Sequence, residues 1–269
     1  MLASSTPDAL WSAPSLRVLR PAAVSCTELT RARLLDRCSL TVPVGMRLLV
    51  VADPDESASM LLRVLAGLSR PSRGQVELAG MADPSAEGWG RRIAYVGPEP
   101  GIPGWMTPRE ALALAAGLLE LPAAEAERRA ERALAWAHVP SDAADRPVRR
   151  GGPPLLQRTG FAAALLADPE VLLLDEPLRA LEAEDRARLL RLPGRRRTVL
   201  LASRYPASEA GLSTHVLLLR RGRPALQARI GDLEANGQPL SMRGIEALAD
   251  LKAQHGRRRL ADDEAVAPR

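Results

Sequence analysis

Four consecutive apolar residues, Val171-Leu172-Leu173-Leu174, run directly into Asp175-Glu176-Pro177. A run so short and so completely apolar fits a strand buried on both faces, the kind found inside a parallel sheet. Parallel strands need crossover connections, so the flanking sequence has to supply helices. It does. Strand-like runs at Leu16–Leu19, Cys38–Val42, Arg47–Val51, Gln75–Leu78, Arg92–Val96, Thr198–Ala202 and Val216–Leu219 are interleaved with helical patterns. Those patterns cover 58–68, 108–119, 123–137 and a stretch ending near Ala167. Thr107 and Pro108 supply an N-cap and first-turn proline for the second of them. The alternation predicts an α/β fold with a mostly parallel sheet. An N-terminal β-rich region precedes it, and an inserted helical region occupies about residues 98–165.

Composition narrows the function classes. At 46% hydrophobic and 26% charged residues, the 269-residue chain is not disordered throughout. No apolar run reaches the roughly 18 residues of a transmembrane helix, and residues 1–15 lack the pattern of a secretory signal. Cys26 and Cys38 are too few for a disulfide scaffold and are expected as reduced thiols. A net charge of +5 invites a nucleic-acid reading, but the arginines alternate with acids and only seven residues are aromatic. No nucleic-acid partner is expected. Of the 37 basic residues a single one, Lys252, is lysine. Chemistry that needs a lysine earlier in the chain is excluded.

Carboxylates at the C-terminal end of a parallel strand lie where α/β folds bind ligands. In phosphoryl-transfer enzymes the first such acid holds magnesium, and a neighbouring carboxylate orients the attacking water. Further segments keep it company: Leu40–Gly45, Leu61–Leu68, Pro71–Leu78, and Ala163–Pro177 (AALLADPEVLLLDEP). Ala180-Leu181-Glu182 and Val216–Gly222 follow in order. In order and spacing these resemble the nucleotide-binding subunit of an ATP-binding-cassette (ABC) transporter, over about residues 16–235. The resemblance implies a P-loop-NTPase-like core, with ATP and Mg as the family's ligands. It places the phosphate loop on Ala52–Met60, magnesium ligands on Ser59 and Asp175, and the water-orienting carboxylate on Glu176.

Against that pattern the nucleotide-facing elements are altered. The phosphate loop has no glycine to free its backbone N–H groups, and Ala58 stands where the lysine belongs. Asp53, Asp55 and Glu56 add negative charge. A like-charge pair 4 Å apart costs about 1–4 kcal/mol between the dielectrics of water and of a protein surface. Ser57, Ala58, Ser59 and Met60 therefore mark a degenerate phosphate loop. The Q-loop position carries Gly97-Pro98-Glu99-Pro100 without glutamine, and no adenine-stacking aromatic lies in 24–30. The signature region is Arg149-Arg150-Gly151-Gly152-Pro153-Pro154, whose prolines lack N–H donors. Arg204 takes the switch-histidine position, and His215 is expected in a surface turn.

Core elements survive while nucleotide contacts do not. The resemblance thus implies an ABC ATP-binding-type subunit that is a pseudo-ATPase, with Glu176 vestigial and no cofactor expected for the chain alone. Its implied partners are a membrane permease and an active cassette, or a second copy of itself. Its implied place is cytoplasmic, peripheral on the inner face of the membrane. A free-standing regulatory or scaffold protein and an unconventional active ATPase stay open as alternatives. Residues 1–14 are expected to be disordered, 15–235 to form the cassette, and 236–269 a C-terminal helical extension with a frayed tail. Trp105 and Met106 precede a helix of nearly unbroken Ala and Leu, expected to be buried on more than one side. They either cap that region's own core or, with Gly151 and Gly152, form an interface.

Overall fold

The computed structural model describes residues 21–53, 56–191, 197–234 and 239–266; side chains are described up to Gln254, that of Asp53 excepted. The expected disorder of 1–14, the strand Leu16–Leu19 and the loop residues Pro54 and Asp55 lie outside the described residues.

Along the chain run β1 (Ala22–Arg31), β2 (Leu35–Pro43), β3 (Arg47–Asp53), α1 (Ser57–Leu65), β4 (Arg73–Leu78), α2 (Trp89–Arg92) and β5 (Ile93–Val96). Then come α3 (Pro108–Leu118), α4 (Ala123–Trp136), α5 (Gly152–Leu165), β6 (Val171–Asp175) and α6 (Ala183–Leu190). The chain closes with β7 (Thr198–Ala202), α7 (Pro206–Glu209), β8 (His215–Arg220), β9 (Arg223–Arg229), α8 (Ile230–Leu233) and α9 (Met242–Val266). A six-stranded sheet has the order β5-β6-β7-β3-β8-β9, parallel except for the antiparallel edge pair β8–β9. A second, antiparallel sheet has the order β2-β1-β4.

Strand alternation feeds two cores. Leu48 and Val50 of β3 face the core shared with α1 and the antiparallel sheet, while Leu49 and Val51 face the opposite one. Leu61, Leu62 and Leu65 of α1 are fully buried, each contributing about 1.5–3 kcal/mol. A third cluster joins α3, α4 and α5 through Leu112, Ala133, Leu134, Ala162 and Leu166. At the head of β3, Arg47 is largely buried and donates to the carbonyl of Leu190 at 2.8 Å and to that of Leu212. One guanidinium thus satisfies the last carbonyls of two helical segments.

The structure departs from the sequence expectations in four places. β1 carries no clean alternation, because its pairing with β2 shifts register between Cys26 and Leu29 and Glu28 adopts φ +53°. β9 holds Pro224 and little apolar periodicity, both tolerated on an edge strand. Helix α3 is not buried all round: Leu114 and Leu118 are 54% and 79% exposed. Finally, α9 stays helical through the charged stretch up to Val266, a segment rich in Ala, Leu and Arg.

Candidate functional site

The site lies at the C-terminal ends of β3, β6 and β7, where α1 begins. Asp175 ends β6 and is buried. Ser59, in the first turn of α1, donates its hydroxyl to Asp175 Oδ1 at 2.6 Å. Tyr95, on the neighbouring strand β5, donates to Asp175 Oδ2 at 2.8 Å. Both carboxylate oxygens therefore have hydroxyl donors from within the chain. Burial, followed by the charge of Asp175 and the hydrogen bond to it, pushes the Tyr95 phenol well above its usual range, outweighing the opposite pull of Arg63. Tyr95 is a fixed donor near neutral pH.

The other phosphate-loop residues stay close by. Ser57 and Ala58 are buried in the first turn of α1, and Met60 is half-buried beside them. The buried methyl of Ala58 presents no charge, and Glu56 is exposed just before the helix.

Glu176 follows in a left-handed conformation, φ +45°, a backbone cost of about 1–2 kcal/mol for an L residue. Its amide donates to the carbonyl of Ala202 at 3.0 Å. Its carboxylate accepts from the backbone N–H of Arg204 at 2.8 Å and from the Arg204 Nε–H at 3.3 Å. The acid expected at the water-orienting position is thus tied to the residue expected at the switch position. Next to this pair, Glu209 of α7 is buried against Arg186 of α6 at 3.1 Å. Burial raises the Glu209 carboxyl above its ordinary value; Arg186 opposes the shift and Glu176 adds to it.

A carboxyl whose pKa is raised on folding binds its proton more tightly in the native state, so its contribution to stability falls as pH rises through the ordinary carboxylate range. Removing it by Glu209→Gln is expected to favour the variant progressively as pH rises through and above the ordinary carboxylate range. Urea denaturation of both proteins across that range checks this. A stability difference that does not change with pH contradicts it.

The two glycines of the signature region join a different group. A 3-10 turn at Val148–Arg150 leads through Gly151 into α5, which opens on Gly152 with φ +64°. Pro153 and Pro154 remove two of the four N–H groups a first helical turn presents. Val148 and Arg149 donate their amides to the carbonyls of Met106 and Gly104, at 2.9 and 3.1 Å, so this turn lies beside the Trp105–Met106 loop. Trp105 is 63% exposed and caps no core, whereas Met106 is half-buried. His215 is the first residue of β8, paired with Leu48, rather than a turn residue.

Three interactions escaped the sequence reading: Tyr95 to Asp175, Arg186 to Glu209, and a buried glutamine. Gln157 of α5 donates to the carbonyl of Pro98 at 3.0 Å and accepts from the amide of Ala180 at 2.7 Å. Its one sequence signal is a lone amide inside an Ala/Leu-rich helix.

A parallel sheet, a strand followed by a helix at β3–α1, and a helix-borne serine paired with a strand-end aspartate are the features of a P-loop nucleoside-triphosphatase fold. The ABC transporter family profile matches residues 35–179. An uncharacterized ABC transporter ATP-binding protein of Nostoc sp. is 32% identical over 186 residues, covering 68% of this chain and 52% of that protein. The aliphatic sulfonates import ATP-binding protein SsuB of Corynebacterium glutamicum is 33% identical over 193 residues, covering 70% of this chain and 74% of that protein. Among solved structures, an ATP-binding subunit of an ABC transporter superposes with TM-score 0.71 at 20% identity, covering 85% of this chain and 99% of its own. A dimeric ATP-binding cassette holding ADP and Pi superposes with TM-score 0.68 at 17% identity, covering 77% and 98%. The chain belongs to the ABC transporter family, among its ATP-binding subunits.

Proposed function

We propose that this chain is a pseudo-ATPase subunit of an ABC importer, pairing with a second cassette and docking on a membrane permease. The observation that carries the reading is internal satisfaction of the two strand-end acids. Asp175 is held by Ser59 and Tyr95, and Glu176 by Arg204. Mg-ATP does not fit these residues. The buried Ala58 offers no cation to the phosphates, and the Tyr95 hydroxyl adds a second donor that competes with a metal or its water for the Asp175 carboxylate. The prolines of α5 remove donors that a partner's nucleotide needs.

Association is supported by a different surface. A groove of about 510 Å³ runs between the loop after β5 and helices α3 and α5, lined by Gly97, Pro100, Ile102, Leu118, Leu119 and Ala163. Trp105, just before α3, and Leu114, on α3, are further exposed apolar side chains of the same region. Among the described residues no helix is long and apolar enough to cross a membrane. A peripheral seat on the inner membrane face, beneath a permease, follows from that docking. The name of the Corynebacterium relative supports import as the direction.

A vestigial Glu176 makes a specific expectation. In the complex assembled with permease and partner cassette, Glu176→Gln leaves transport and ATP turnover within about twofold of the parent, because the partner's site does the chemistry. In a working site the same change removes the water-orienting carboxylate and stalls hydrolysis. Loss of turnover with assembly intact refutes the pseudo-ATPase reading.

A further inference from the structure

We propose that Gln157 is a positioning residue that clasps the loop after β5 to the loop after β6, so that a displacement of the first is felt by the second. The proposal builds on the reading that the first loop borders the permease-facing groove. The clasp itself is a property of this chain alone.

The chemistry at Gln157 is complete and one-directional. A carbonyl oxygen, that of Pro98, can be satisfied only by the side-chain NH2, and the Ala180 N–H only by the side-chain oxygen. The amide orientation is therefore fixed by its partners, and each end holds a different loop. Gln157 is 5% exposed, so its amide is largely shielded from water while its two main-chain partners are half-buried. Neither loop has a regular backbone ladder of its own. Pro98 and Pro100 lack N–H groups, which removes donors that could otherwise anchor the first loop.

Two further contacts bring the same loops together. A Cβ on Gly160, one helical turn beyond Gln157, would lie 2.6 Å from the ring of Pro100, so a residue without a side chain lets the first loop sit directly on α5. At the surface Glu99 pairs with Arg179 at 3.2 Å, again joining the first loop to the second. That exposed pair is weak by nature, which leaves the buried amide as the main link. One end of the clasp touches the loop lining the groove. The other touches the turn that follows Glu176, whose neighbours Leu178 and Glu176 both adopt left-handed backbone. Docking at the groove thus has a route of two hydrogen bonds to the strand-end acids.

Residue-resolved amide exchange on the full chain tests this without any permease. Gln157→Leu is expected to speed exchange at Ala180 about fivefold to tenfold, the loss of one buried hydrogen bond. Gln157→Glu keeps an acceptor for Ala180 but loses the donor to Pro98. It should leave Ala180 protected while Glu99 and Gly101 exchange faster, an asymmetry that a general packing defect does not produce. Coupling is read from Pro98→Gly, which loosens the first loop. In the parent it should accelerate exchange at Ala180 about threefold or more, and in the Gln157→Leu background it should add nothing. Additive effects, or an Ala180 amide indifferent to Gln157→Leu, overturn the clasp. If Gln157→Leu does not fold, the asymmetry in Gln157→Glu and the response of Ala180 to Pro98→Gly decide alone. Since no permease enters the measurement, a failed clasp and a misplaced docking surface give different results.

Discussion

Asp175→Ala lowers the unfolding free energy of the isolated chain by about 3–5 kcal/mol, measured by urea denaturation in buffer free of nucleotide and divalent metal. The size follows from two charge-assisted hydrogen bonds lost at once. Ser59 and Tyr95 both donate to this carboxylate, and the buried alanine leaves two hydroxyls without an acceptor. Burial already costs the Tyr95 phenol its hydration, which is part of why its proton is held so firmly. Asp175→Asn, which keeps acceptor capacity for one hydroxyl, should cost about half as much. A carboxylate kept only to bind magnesium behaves in the opposite way: without the metal it is a charge in need of a partner, and its removal is neutral or stabilising. An Asp175→Ala variant within about 1 kcal/mol of the parent contradicts the structural role assigned to this acid.

Trp105→Ala leaves the subunit folded and within about 1 kcal/mol of the parent, yet abolishes co-purification with a co-expressed permease. The small stability change reflects a side chain 63% exposed in a loop held by backbone hydrogen bonds of Met106 and Gly104, not by the indole. The large binding effect reflects the weight aromatic anchors carry at interfaces, where truncation commonly costs 2 kcal/mol or more, about thirtyfold in affinity. A loss of about 3–5 kcal/mol in the monomer makes Trp105 structural instead. Unimpaired capture by the stable variant moves the docking surface away from this loop.

The contrast between these two residues shows what the sequence carries and what it hides. The parallel core was legible because β6, β7 and β8 are buried on both faces and read as unbroken apolar runs. The start of α3 was legible because the N-cap Thr107 and the first-turn Pro108 act locally; the structure adds Glu110, which closes a capping box with Thr107. β1 was not legible, because a register shift erases period-two alternation. The exposure of Leu118 was not either, since an alanine- and leucine-rich helix has no polar face to mark its outside. Within the site, sequence order singled out Ser59, Asp175, Glu176 and Arg204, which the structure brings together as two hydrogen-bonded pairs. It could not give their pairing, because Ser59 and Asp175 are 116 positions apart and Tyr95 and Asp175 are 80. Gln157 was hidden more deeply. Its significance lies entirely in two main-chain groups, Pro98 C=O and Ala180 N–H, that any sequence possesses.

Equilibrium titration of the purified chain with Mg-ATP, read as a shift in thermal stability, tests the central claim most directly. A ligand that binds only the native state adds about 2.7 kcal/mol at a hundredfold excess over its dissociation constant. With Ala58 at the lysine position, and Ser59 and Tyr95 engaged on Asp175, millimolar Mg-ATP is expected to leave the melting temperature unchanged. A saturable rise in melting temperature that disappears on substitution within Ser57–Met60 contradicts the account and makes this chain a nucleotide-binding cassette in its own right.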